Sequence, residues 1–324
     1  MAAPVNAPAS LPVEPLRSPA DRGFFFELRK NKLLFLMLLP TFLYFLLFFY
    51  IPFVGAYYAF VDYKYQLGLF RSPFVGFRYF RFLFLGNIIT KLTINTLLYN
   101  VAFIIIGNFF QITVAILISQ ITSPFFKRLA QTFIFLPYFI SFVLVGLFAY
   151  GLLNYDYGII NHALEALGLK AVAFYTAPQY WKYILTIAHV WKWLGYGSVI
   201  YLAAIMSINN ELYDVAAIDG ANAFRQITAV TLPMLRPTII ILLLFSIGGI
   251  LRGQFELFYQ MVGRNGQLYN ATDIIDTYVY RALTVTAQIQ LGTAAGLFQS
   301  VFGLAVILGA NFIIKRIDPE YALF

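Results

Sequence analysis

Lys192 and the pair Arg252 and Glu256 lie inside long apolar runs, where an ionised side chain is costly and marks a partner or a solute path. Arginine can grip a carboxylate at two points, and lysine attracts one as a point charge. Trp193, Tyr196, Phe255 and Tyr259 lie beside these charges and offer flat apolar faces on which sugar rings can rest. Asn95, Asn100, Asn108 and Gln111 add hydrogen-bond donors and acceptors in another run. Together they suit non-covalent recognition of a polyhydroxylated solute, with fixed positive charge for a uronate. Each has a plainer reading. Arg252 and Glu256 are four residues apart, share one helix face and could pair with each other. Lys192 could snorkel to an interface. The amides could tie helices together, the aromatic residues could pack or form an interfacial belt, and His189 could be a satisfied bundle residue.

Bond-making chemistry has little to work with. Cysteine is absent and only two histidines occur, which excludes disulfides and thiolate metal sites. No GxxxxGK[ST] phosphate loop is present. The carboxylates are too scattered for an acid/base or metal constellation.

The elements that must position these residues follow from composition. Of 324 residues, 61% are hydrophobic, 19% aromatic and only 11% charged, where soluble domains carry about a quarter charged residues. The long apolar runs lack the alternation of barrel strands, so the chain reads as an all-α polytopic membrane protein. About six spans are expected, at residues 33–60, 93–121, 131–153, 181–207, 238–262 and 291–314. Pro40 or Pro52 is expected to kink the first, which is too long and too far from the N-terminus for a cleavable leader. The Pro- and Ala-rich residues 1–28 read as a disordered tail, followed by a membrane domain over 29–324. Arg71, Arg78, Arg81 and Lys91 among aromatic residues suggest an interfacial segment over 61–92. Residues 154–180 and 263–290 form outside links. Six spans put both termini on one side, and Arg29, Lys30, Lys32, Lys127, Arg128, Lys315 and Arg316 suit cytoplasmic flanks, although the first outside link is itself basic. The net charge of +8 suits anionic lipid and an anionic solute.

Residues 209–237 interrupt the apolar pattern with something more elaborate than a turn. Asn209 and Asn210 can cap a helix, and Glu211 and Asp214 suit its positive end. Leu212, Val215, Ala216 and Ala217 then give an apolar stripe. Gly220 permits a bend. Asn222 can start a second short helix, which Pro233 is expected to stop, with Pro237 in the first turn of the next span. The pair would present a small hydrophobic docking surface to the aqueous phase.

The spacing Asp214-Val215-Ala216, three residues, Gly220, nine residues, Val230, one residue, Leu232-Pro233 resembles the EAA loop of ABC importer permeases. Asp219-Gly220-Ala221 resembles its sugar-importer form. Asp at 214 and Val at 215 depart from the usual Glu and Ala. Leu38-Leu39-Pro40, Tyr50-Ile51-Pro52, Phe135-Leu136-Pro137, Ile247-Gly248-Gly249-Ile250 and the stretch from Asp273 to Arg281 are similar to the oligo- and polysaccharide branch, including permeases for acidic polysaccharides such as alginate.

The resemblance implies a type I importer permease fold in a bacterial inner membrane. It implies four kinds of partner besides lipid: a second, homologous permease subunit, two ATPase subunits, a periplasmic solute-binding protein and an oligosaccharide. The chain itself needs no cofactor, since ATP and magnesium belong to the ATPases, and no nucleic acid is implied. Glu211, Asp214, Ala216, Ala217, Asp219, Gly220, Ala221, Phe224, Leu232 and Pro233 would couple to the ATPase. Lys192, Trp193, Tyr196, Arg252, Phe255, Glu256 and Tyr259 are the candidates for the solute path. The rival classes are a membrane enzyme acting on lipid-linked sugars and an autonomous channel or carrier.

Overall fold

The computed structural model describes residues 24–317. Among them helices dominate, and the only β pairing is an isolated bridge between Val61 and Phe74. The chain divides into two compact units, Met1–Gly55 and Ala56–Phe324.

The first unit carries α1 (Phe24–Lys30), α2 (Lys32–Phe45), a π-helical turn (Leu46–Tyr50) and α3 (Ile51–Phe53). Of the expected tail, residues 1–23 lie outside the described residues, and residues 24–28 belong to α1. No residue of α2, the π turn or α3 is buried. A face with so little packing and so much Leu and Phe is suited to lipid.

The second unit begins with α4 (Gly68–Arg71) and α5 (Arg78–Leu85), which fold the expected interfacial segment. Then come α6 (Ile88–Ser119), α7 (Pro124–Phe139), α8 (Phe142–Leu153), α9 (Ile159–Ala166) and α10 (Trp181–Met206). The interruption becomes α11 (Asn210–Ile218) and α12 (Ala223–Gln226), and a π turn (Ile227–Thr231) leads into α13 (Leu232–Gly248). The last elements are α14 (Phe255–Val262), α15 (Tyr269–Thr272), α16 (Ile275–Thr284) and α17 (Ile289–Ile317).

Each of the six expected runs is helical, but not each is one helix. Among the described residues, four helices are long and apolar enough to cross a membrane: Lys32–Phe60, Ile88–Ser119, Ala223–Gly248 and Ile289–Arg316. The third run is broken between α7 and α8 by a bend of 94°; counted as one span, this pair makes a fifth. The fourth, α10, has 26 residues, about 39 Å at the helical rise, but Lys182, His189 and Lys192 make it less apolar. The fifth run differs most from expectation. Its helix ends at Gly248, residues 249–254 are irregular, and α14 starts afresh at Phe255. The Gly248-Gly249 pair and Gly253 weaken a helix at this point.

Pro233 does not stop the second short helix. Helix continues unbroken from Ala223 to Gly248. A π turn precedes Leu232-Pro233, and its last bond runs from the Leu232 amide to the Ile227 carbonyl, five residues back. The wider turn lets the proline ring enter without a clash. The same arrangement precedes Ile51-Pro52, where the Ile51 amide bonds to the Leu46 carbonyl. In both cases the missing proline N–H falls where the ladder is already re-phased.

The core lies where α10 crosses its neighbours. Tyr99 and Phe103 of α6, Val145 and Ala149 of α8, Trp181 and Leu185 of α10, and Leu257 and Phe258 of α14 form one cluster. Ala115, Tyr201, Leu202 and Leu235 form a second, which ties α6 and α10 to α13. Gly195 lets the α10 backbone touch that of α7, since a Cβ there would fall onto the Ile134 carbonyl and the Phe135 Cα. Small residues at such crossings allow close packing where lipid supplies no hydrophobic drive.

Candidate functional site

A cavity of about 650 Å³ opens among α6, α10, α13 and the break after Gly249. That volume lies within the range of small-molecule sites. Asn100, Asn108 and Gln111 recur at helical spacing and line it from α6. Trp193 and Tyr196 line it from α10, Ser246 from α13, and Arg252 and Gln254 from the break. Arg252 is the one charged residue among those lining residues. It is exposed, and its side chain makes no ion pair among the described residues.

The polar groups serve two purposes at once. Gln111 donates to the Trp193 carbonyl at 3.2 Å, and the Asn108 carbonyl oxygen accepts from the Tyr201 hydroxyl at 2.5 Å. Asn95, outside the cavity, donates to the Asp273 carbonyl at 3.1 Å. These bonds join helices, yet Asn108 and Gln111 still line the cavity. Its aromatic wall is backed by Tyr138, which stacks on Tyr196 at 5.0 Å and meets Trp193 edge-on at 5.4 Å. His189 lies flat on Phe103, with centroids 3.8 Å apart. The buried His189 Nδ1 and Trp193 Nε1 find no hydrogen-bond partner among the described residues.

Four of the seven expected path residues fall elsewhere. Lys192 is only 4% exposed and does not line the cavity. Its ammonium donates to the carbonyls of Pro137 at 3.3 Å, Tyr138 at 3.1 Å and Ile140. Phe142 lies 4.6 Å below it. Lysine here caps the free carbonyl end of α7 at the bend, as a cation at a helix C-terminus should. The expected Arg252–Glu256 pairing on one helix face does not occur. Arg252 is in the irregular stretch and Glu256 in the first turn of α14, so the four-residue spacing does not place them on one turn. Phe255 and Tyr259 stack on each other at 5.3 Å and close on Tyr280 of α16. They fill a helix junction outside the cavity. Tyr138, Phe245, Ser246 and Gln254 were not expected near the path. The Gly248-Gly249 pair signals the break that brings Gln254 in, but nothing local singles out the other three.

The second candidate element is the hinge at α11 and α12. Asn209 accepts from the Glu211 amide at 3.1 Å, and Asn222 accepts from the Arg225 amide at 2.9 Å, so both expected caps form. Gly220 has φ +78°. The Ala221 amide bonds to the Ala216 carbonyl at 2.9 Å and the Gly220 amide to the Ala217 carbonyl at 3.0 Å, a Schellman closure that needs glycine at this place. The Tyr213 hydroxyl meets Thr231 Oγ1 at 3.0 Å and ties α11 back to the start of the long helix. Glu211, Asp214, Ala217, Asp219, Leu232 and Pro233 are exposed, while Ala216 and Ala221 are half-buried. Val215 is 56% exposed, Ile218 85% and Phe224 75%. A rigidly capped hinge thus presents large apolar side chains with nothing over them.

Residues 104–322, well over half the chain, match the family described as binding-protein-dependent transport system inner membrane component. The chain belongs to this family. Protein LplB of Bacillus subtilis (strain 168) is 36% identical over 293 residues, which is 90% of this chain and 92% of that protein. The polygalacturonan/rhamnogalacturonan transport system permease protein YteP of the same strain is 34% identical over 91% of both. In solved structures, a chain of a bacterial ABC transporter involved in the import of the acidic polysaccharide alginate superposes with a TM-score of 0.82. It is 35% identical, with 91% of this chain and 99% of that chain covered. The permease fold expected from the sequence is therefore present. It makes this chain an inner-membrane component of an ABC transporter.

Proposed function

We propose that this permease is one transmembrane subunit of an ATP-driven, binding-protein-dependent importer of acidic oligosaccharides such as alginate fragments. Its partners are a second, homologous permease subunit, two cytoplasmic ATPase subunits that hold ATP and magnesium, and a periplasmic solute-binding protein. Both termini face the cytoplasm, together with the hinge at Gly220. The family and the relatives that carry acidic polysaccharides support this reading.

The observation that carries it is the hinge. Ile218 and Phe224 are exposed at 85% and 75% on two helices that are each capped at the N-terminus. A rigid apolar surface at the turn between α11 and the start of the long helix fits a protein partner. ATP-driven closure of the partner would move the hinge, and the unbroken helix from Ala223 to Gly248 would carry the motion to the cavity wall. The permease then alternates between outward- and inward-facing states. In the cavity, aromatic faces at Trp193 and Tyr196 support sugar rings, amides meet hydroxyls, and Arg252 meets a carboxylate.

The chain has no cysteine, so a single cysteine reports cleanly. Ala217→Cys and Phe224→Cys should crosslink to the ATPase subunit in the assembled complex. Absence of any such product, or solute uptake by the chain reconstituted alone, would refute the assignment.

A further inference from the structure

The break between α13 and α14 is held from outside its own helix. Within it, the Arg252 amide reaches the Gly249 carbonyl at 2.8 Å. The two flanking peptide groups are met by side chains of α16 and α17. The Gly253 amide donates to Asp276 Oδ2 at 2.7 Å, and the Leu251 carbonyl accepts from Gln299 Nε2 at 2.6 Å. Gln299 also donates to the same Asp276 oxygen at 3.1 Å, which closes the clamp. Leu251 is buried with Leu92 and Ile275 and anchors one end. Gly253 must be small for the other, since a Cβ there would stand 2.8 Å from Asp276 Oδ2 and against the Ile274 side chain.

Arg252 is the residue between the two clamped positions, and it is the one charge on the cavity wall. Asp276 does not line the cavity, and its carboxylate holds the peptide group directly after Arg252. A partly buried carboxylate in such a place is costly unless it does specific work. Here it satisfies a peptide group that has no helix to bond to. The cavity surface itself is left with a cation and no anion.

We propose that Asp276 and Gln299 are a positioning pair that fixes Arg252 as the anchor for a carboxylate on the transported sugar. Charge selectivity in the cavity is then set by α16 and α17, which contribute nothing to its lining. This rests on the reading of the cavity as the solute path. The test is a double-variant cycle on the assembled transporter in nanodiscs without binding protein, reading the Kd of an oligouronate trisaccharide. Arg252→Ala should weaken binding about tenfold or more, the loss expected of a charge-assisted contact. Asp276→Leu should lose most of the same factor, and Asp276→Leu added to Arg252→Ala should change Kd by less than about twofold, because both remove one interaction. Gln299→Leu carries the same cycle if Asp276→Leu fails to assemble. Losses that multiply in the double variant would make the pair merely structural and overturn the proposal, with the role of Arg252 intact. Equal Kd for wild type and Arg252→Ala would overturn the reading of the cavity and the proposal with it.

Discussion

Replacing Lys192 with methionine isolates a question that the apolar sequence leaves open, whether this charge meets solute or backbone. Methionine keeps the length and apolar stem and removes the ammonium. Three carbonyls at the α7–α8 bend then lose their donor. Pro137 O keeps the Ile140 amide at 3.2 Å, so its loss is small. Tyr138 O and Ile140 O lie at the end of a helix with no further turn to supply a donor. Each buried carbonyl left unsatisfied costs about 1–3 kcal/mol, and some of this is regained because polar groups in a bilayer find other partners. A net destabilisation of about 2–4 kcal/mol follows, or roughly 3–6 °C for a chain of this size. Thermal unfolding of the detergent-solubilised complex should show it, with exposed Lys182→Met on the same helix as the control. Oligosaccharide affinity at low temperature should stay near that of wild type. A transition within a degree of wild type, joined to a marked loss of acidic-solute affinity, would refute the capping role and return Lys192 to the path.

Two further substitutions probe the frame around the cavity. Gly220→Val forces a β-branched residue to φ +78°, at about 1–2 kcal/mol or more. Its Cβ meets nothing within 4 Å, so the subunit should insert and assemble while binding-protein-stimulated ATP hydrolysis and uptake separate; normal coupling in that variant would contradict the role of the hinge. Asp273 and Arg281 form a two-point ion pair, at 2.5 and 3.1 Å, that closes α16 onto its own start. Either Asp273→Ala or Arg281→Ala should destabilise by about 1–3 kcal/mol, and the double variant should be no worse than the worse single. Additive losses in thermal unfolding would show that the two side chains act separately.

The features legible in the sequence are those decided within a few residues. Apolar runs long enough for a bilayer become helices because the backbone can satisfy itself there in no other open form. Asn209 and Asn222 cap helices, and Gly220 takes positive φ, because caps and bends need only the next three or four residues. The EAA-like spacing around them is local for the same reason. What the sequence left undecided depends on distant neighbours. Lys192 bonds to carbonyls 52 to 55 residues away, and Asp276 and Gln299 close a break 23 and 48 residues away. The four-residue spacing of Arg252 and Glu256 promised a shared face, but Gly249 and Gly253 let the chain leave the helix between them, and the clamp then turns one toward the cavity and not the other. Local chemistry made the helices and their ends; tertiary packing chose where two of them break, because only there do groups from other helices replace the backbone bonds that breaking removes.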